Sequence, residues 1–241
     1  MQGASKSYWK NALSVGSASG TNALTSVNST GWLTNDYIIV GYRKGAYASS
    51  DTEKIQVSSV SGTTINLGTN LAANHATDAV IANLTRNVVI QIDNATYYSS
   101  FLMAPANAAN INLDWVEFDG VRIHHSANSI DWNIDYCTTH DIATTSGHGL
   151  YLQNSQKGHF SYGVLYGNGG RGIHKDYNYD VVYLKDLIVA KNTGVGIGGQ
   201  YAGTWYLDGA EIFSNGGHGI DACQYSWSLI GQNINISDFF V

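Results

Sequence analysis

Proline is nearly absent, with one residue in 241, and charge is thin, with Asp, Glu, Lys and Arg together at 12%. That charge is about half the usual share. The formal net charge is −6, and no basic cluster interrupts it. The electrostatic footprint of a nucleic-acid binder is therefore missing. No stretch carries the Lys/Arg face of a membrane-surface helix. No apolar run approaches the roughly 20 residues that span a bilayer as a helix. The opening Met1-Gln2-Gly3-Ala4-Ser5-Lys6 lacks the apolar core of a signal peptide. We expect either export without such a peptide, as in a virus particle, or a chain that is a fragment. Two cysteines, Cys137 and Cys223, make no disulfide framework and read as structural thiols. No zinc-ligand spacing and no cage of clustered Asp is visible, so neither a metal nor a cofactor is expected.

What is abundant is Gly (27) and Tyr (16), with many Asn, Ser and Thr. This is the composition of short strands and tight turns. From Leu113 onward the chain repeats itself. The pattern runs apolar, two residues, apolar or small, one residue, apolar. It is met by Leu113, Val116 and Phe118, then by Ile134, Cys137 and Thr139, then by Phe160, Gly163 and Leu165. Leu184, Leu187 and Val189 continue it, followed by Leu207, Ala210 and Ile212. Each copy adds one more apolar residue: Ile123, Leu150, Ile173, Ile197 and Ile220. The last four sit in Gly-x-Gly-apolar phrases whose final residues are 23, 24 and 23 apart. Such a period means stacked supersecondary units. Alternation along a strand then turns Ile111, Trp132, Val182 and Trp205 inward as well. Gly149, Gly172, Gly196 and Gly219 mark one recurrent bend, where Gly allows positive φ or close approach. Asn168, Asn192 and Asn215 recur in step and suggest a ladder of amides bonded between turns. Ile142 breaks that ladder, and Ile142 to Ser146 reads as an insertion.

Residues 1–30 read as an N-terminal arm or loose lead-in. Trp32 to Tyr42 and Asp78 to Asn83 read as strands. Lys54–Val60 and Thr63–Leu67 read as a hairpin closed at Ser61-Gly62. A strand from Leu84 to Ile92 leads into the repeats. The series Gly31-Trp32, Asp36, Val-Ser-Gly-Thr-Thr-Ile-Asn-Leu, His75 and Leu84-Thr85-Arg86-Asn87-Val88 resembles the G8-type β module over about residues 31–92. Thr34-Asn35-Asp36 departs from the Pro-Gly-Asp that this family tends to carry. The repeats beyond resemble parallel β-helix repeats. Together these resemblances imply an all-β chain: a right-handed parallel β-helix, or solenoid, over 93–241, with residues 31–92 as a module or cap. His75 and Arg86 belong to the module pattern and read as structural.

Two outward constellations are candidates for function. Trp115, Tyr136 and Tyr162 form one column, and Asn112, Asn133, His159, Tyr183 and Tyr206 another. Aromatic faces beside amides and carboxylates such as Asp114, Asp135 and Asp208 suit sugars. Trp115, Tyr136, Tyr162, His159, Tyr183 and Tyr206 are thus candidate glycan contacts, or aromatics buried against another chain. The second group is His174, Lys175 and Asp176 with Arg171 and Asp221, read as lying on solvent-facing turns. It could supply an acid, a base and a charge clamp for a polysaccharide lyase or hydrolase. The leading expectation is a non-catalytic structural and recognition module of a virus particle or cell surface: a phage tail fibre, spike, decoration component or adhesin. Its partners would be glycans or other subunits of an oligomer, with no nucleic acid and no membrane. A polysaccharide-cleaving enzyme and a pure scaffold are the alternatives.

Overall fold

The computed structural model describes residues 1–41, 51–92, 99–103, 110–126, 131–153, 157–178, 181–221, 228–232 and 235–236. Tyr42, at the end of one expected strand, and Cys223 lie outside these. Among the described residues every regular element is a strand, and no helix is long and apolar enough to cross a membrane. The chain forms two compact units, residues 4–85 and residues 1–3 with 86–241.

Residues 4–85 form a closed antiparallel barrel. Its strands are β1 (Lys10–Val15), β2 (Ala23–Ser26), β3 (Tyr37–Val40), β4 (Glu53–Ser61), β5 (Thr64–Leu67) and β6 (Val80–Asn83), in the order β1-β2-β5-β4-β3-β6. Alternate residues fill it: Leu13, Leu24, Ile38, Val57, Ile65 and Ile81 are wholly buried. The hairpin forms one residue out of step with its expected turn. Ser61 pairs with Thr64, and Gly62 takes φ +60°, a conformation Gly adopts without a Cβ clash. The expected arm over 1–30 is corrected. Two of its segments are barrel strands, because Leu13 and Leu24 supply apolar residues to that core. Its first three residues instead add to the other unit, where Gln2 bridges Asp114 and Gly3 N–H donates to the Asp114 carbonyl at 2.8 Å. His75 is structural as expected. It contacts the Gly41 carbonyl at 2.8 Å and Glu53 at 2.9 Å.

The second unit is a parallel solenoid of three sheets. The first holds β7 (Val88–Gln91), β10 (Val116–Asp119), β13 (Thr138–His140), β16 (Val164–Tyr166), β19 (Ile188–Ala190), β22 (Glu211–Phe213) and β25 (Asn235–Ile236). The second holds β8 (Ser99–Met103), β11 (Val121–His125), β14 (Leu150–Gln153), β17 (Ile173–Asn178), β20 (Ile197–Ala202) and β23 (Ile220–Asp221). The third holds β9 (Asn110–Asp114), β12 (Asp131–Asp135), β15 (Gly158–Ser161), β18 (Val182–Lys185), β21 (Thr204–Asp208) and β24 (Ser228–Gln232). Each strand pairs with the one a coil later, so Leu113, Ile134, Phe160, Leu184 and Leu207 stack in register. Val88–Gln91, read from sequence as a lead-in, is already a rung of the first sheet.

The apolar repeat positions converge on one continuous core. Trp132 and Trp205 are fully buried in it. Gly158 lies between Trp132 and Val182 in that column, and a Cβ there would come within 1.9 Å of the Trp132 ring. The glycine is what admits the indole. The recurrent bend is a matter of close approach: a Cβ on Gly172 would lie 2.4 Å from Val189 Cγ1, and one on Gly196 would lie 2.5 Å from the Gly219 carbonyl. Beneath it runs the Asn ladder. Asn168 Nδ2 donates to Asn192 Oδ1 at 2.9 Å, and Asn192 Nδ2 donates to Asn215 Oδ1 at 2.9 Å.

Two corners carry left-handed residues on successive coils. At one stand Trp115, Tyr136, Tyr162, Asp186 and Gly209, with φ between 49° and 73°. At the other stand Gly120, Asp141, Gly167, Lys191 and Ser214, with φ between 56° and 69°. Each non-glycine there costs about 1–3 kcal/mol of strain. Hydrogen bonds to the next coil offset it, such as Tyr136 N–H to the Ser161 carbonyl at 2.9 Å and Tyr162 N–H to the Lys185 carbonyl at 2.8 Å.

Candidate functional site

The outward aromatic residues form two ladders, one in each of the expected columns. At the first corner Trp115 stacks on Tyr136 at 4.3 Å and 2°, and Tyr136 on Tyr162 at 4.7 Å and 14°. The left-handed backbone aims all three rings the same way. Trp115 is only 6% exposed. The Arg86 guanidinium lies 5.2 Å from its ring centroid, and Arg86 is itself buried, donating from Nε to the Tyr136 carbonyl at 2.7 Å. Trp115 therefore presents no face to a ligand, and Tyr136 has both faces covered. Lys185 Nζ sits 5.5 Å over the Tyr162 ring. In this ladder the faces of Trp115 and Tyr136 are covered by neighbouring groups.

The second ladder stands on the outer face of the third sheet. His159 stacks on Tyr183 at 4.6 Å and 9°, and Tyr183 on Tyr206 at 4.9 Å and 9°. Strand alternation turns these residues out because Phe160, Leu184 and Leu207 point in. One coil before His159 the same column carries Asn133, and one before that Asn112, joined amide to amide at 3.0 Å. Rings thus give way to short amides within a single rung step. At that step lies a cleft of about 300 Å³ lined by Asn110, Asp131, Asn133, Lys157 and His159. Tyr183 covers one face of the His159 ring, which leaves the face toward Asn133 for a ligand. Lys157 Nζ also reaches over Tyr183, 5.6 Å from its centroid. Asn110, Asp131 and Lys157 were missed from sequence. The step from Asn133 to His159 in the outward column was the available signal.

Of the residues considered for catalysis, His174, Lys175, Asp176 and Asp221 lie on the second sheet and Arg171 at the bend before it, and one of them is misplaced by the sequence reading. Lys175 is fully buried, its Nζ 5.4 Å over the Trp205 ring in the core. Ile173 points inward, so Lys175, two residues on, does too. His174 does face out, in a column with His124, Tyr151, Gly198 and Asp221. The His174 and His148 rings lie 4.4 Å apart. Burial, reinforced by Arg171, pushes His148 down to about 4. Burial, with His148 and Arg171 adding, pushes His174 down to about 3. Both are neutral imidazoles at pH 7. Arg171 reaches Asp221 at 3.9 Å, across the space that Gly198 leaves. The Tyr151 hydroxyl contacts Asp176 at 3.4 Å. Asp221 is engaged by a guanidinium, and Asp176 stands in the next outward column, in register with Gln200.

Cys137 is buried and free, its thiol pushed up to about 12, chiefly by burial. It is inert filling.

Stacked parallel strands with an inward apolar column define a β-solenoid. Residues 119–238 match the family model described as "Right handed beta helix region". That part of the chain belongs to the right-handed β-helix family. Among the curated proteins no relative matches. Solved structures give likenesses as well, three tailspikes among them. The tailspike protein gp49 of Pseudomonas phage LKA1 shares 12% identity, with a TM-score of 0.30 over 87% of this chain and 46% of its own. The tailspike gp61 of Pseudomonas phage phi297 shares 12%, with 0.32 over 94% and 55%. The gp54 tailspike of Acinetobacter baumannii bacteriophage AP22, in complex with A. baumannii capsular saccharide, shares 10%, with 0.28 over 96% and 54%. The chain spans about half the length of each. The fold assignment rests on the strand pairing and the family match, not on these likenesses.

Proposed function

We propose that this chain is a non-catalytic structural and recognition β-helix of a virus particle, in a tail spike, tail fibre or decoration component, and that it binds a saccharide on the outer face of the third sheet. The observation that carries the binding proposal is the polar cleft at the end of the His159–Tyr183–Tyr206 ladder. Amide, carboxylate, ammonium and imidazole groups converge there beside one uncovered ring face. Such a ring covers the apolar C–H face of a sugar while the polar groups bond its hydroxyls. The contact set is narrower than the six aromatics expected from sequence. His159 is its centre, Tyr183 and Tyr206 extend it, and Trp115, Tyr136 and Tyr162 serve the coils. The cleavage reading loses Lys175 to the core, and Arg171 holds Asp221.

The test is a glycan array followed by titration of the best-bound saccharide. His159→Ala and Asn133→Ala should each weaken binding about tenfold, the equivalent of about 1.4 kcal/mol. Trp115→Phe should leave affinity unchanged. Silence across capsular and lipopolysaccharide arrays would count against recognition. Release of reducing ends or unsaturated products, abolished by Asp176→Ala, would instead establish an enzyme.

A further inference from the structure

Coil stacking assembles a second cluster, on the first sheet, from residues with no shared sequence motif. Asp119 ends β10 and pairs in register with His140, which ends β13. Asp141 follows at the left-handed corner, φ 59°. His140 is 1% exposed. Its Nε2 lies 3.0 Å from Glu117 Oε1, and Glu117 is fixed from behind by the Arg86 backbone N–H at 2.7 Å. Its Nδ1 lies 3.0 Å from Asp141 Oδ2 and 3.5 Å from Asp119 Oδ1.

Both ring nitrogens therefore face carboxylates. A neutral imidazole carries one N–H, and the buried Glu117 is the better-shielded acceptor for it. The Nδ1 lone pair then points at two further carboxylates. That arrangement is repulsive unless a cation or a second ring proton stands between them. The three ligand atoms, one from each residue, lie within 4.8 Å of one another. Ligands about 2.1 Å from a tetrahedral ion stand roughly 3.4 Å apart; Asp119 Oδ1 at 3.5 Å from Nδ1 fits that spacing, and Asp141 Oδ2 at 3.0 Å would move out slightly to admit an ion. An imidazole whose other nitrogen is held by a carboxylate is the usual outer-shell arrangement of a metal-bound histidine.

We propose that Asp119, His140 and Asp141 bind a divalent transition-metal ion, with Glu117 positioning His140, and that the ion ties one coil to the next. One imidazole and two carboxylates suit Zn²⁺ or Mn²⁺ better than Ca²⁺ or Mg²⁺, which take oxygen ligands alone. The competing arrangement is a doubly protonated His140 bonded to all three carboxylates with no metal. The inference is independent of saccharide binding.

The experiment is calorimetric titration of the chelator-stripped full chain with Zn²⁺ and separately with Mn²⁺, alongside thermal melts. One equivalent of Zn²⁺ or Mn²⁺ should bind, and Tm should rise about 5–10 °C at a hundredfold excess over Kd. His140→Ala disturbs the Glu117–Arg86 network and could unfold the chain, so the decisive variant is Asp119→Asn with Asp141→Asn. Both carboxylates are substantially exposed, at 45% and 40%, so that protein should fold. It should bind neither ion and show no Tm rise. Failure of the wild type to bind either ion, or full binding by the double variant, would overturn the proposal.

Discussion

Gly158 shows how tightly single positions are specified. A Cβ added to it would lie 1.9 Å from the Trp132 ring, and Trp132 is wholly buried. Overpacking a filled core costs about 1–3 kcal/mol. Gly158→Ala should therefore lower the urea midpoint by that equivalent, and pairing it with Trp132→Leu should recover part of the loss. Three histidines make a separate prediction. His125 is pushed down to about 4, first by burial and then by His124, joining His148 and His174 at about 4 and 3. Each folded value lies below the unfolded value of about 6.5. The unfolded chain then binds more protons between those limits, so stability is fully present above pH 6.5 and falls on acidification. Melts should show Tm declining from pH 6.5 toward 4. His125→Phe, which removes one such group from the core, should flatten that decline.

The Asn ladder fails differently, because each rung serves two neighbours. Asn192 donates to Asn215 and accepts from Asn168, and all three are buried. Asn192→Ala strands polar groups on both sides, at about 1–3 kcal/mol each. Asn215→Ala strands the backbone and side-chain amides of Asn192 together with the Val189 and Phe213 carbonyls. Denaturant melts should show both variants destabilised by at least that amount. This ladder was legible in the sequence, as were the inward columns and the bend glycines, because coil periodicity repeats them. Lys175 is equally legible in principle, since Ile173 fixes its direction, but a charged side chain is ordinarily expected at the surface. The aromatic ladders were legible as columns. That Trp115, Tyr136 and Tyr162 spend their faces on one another was not, because it depends on their left-handed backbone. The Asp119–His140–Asp141 cluster was invisible for another reason. Its members meet only through register between coils, and no spacing rule for metal ligands spans a coil.

Among the described residues each of the two units has a hydrophobic core of its own. One lies inside the antiparallel barrel and contains Leu13, Leu24, Ile38 and Val57. The other runs along the solenoid from Leu113 to Ile220. A solenoid draws its stability from each coil and its nearest neighbours, whereas a closed barrel is stabilised all at once by its own core. Nothing requires these two energies to match. Scanning calorimetry should therefore resolve two transitions rather than one. Leu24→Ala should cost about 2–5 kcal/mol and lower only the transition of the barrel. Trp205→Ala, at about 3–5 kcal/mol, should lower only that of the solenoid. Zn²⁺ separates them from the opposite direction, because Asp119, His140 and Asp141 all lie in the solenoid. It should raise the transition that Trp205→Ala lowers and leave the other in place. A single transition that moves with all three perturbations would mean that the two units unfold as one.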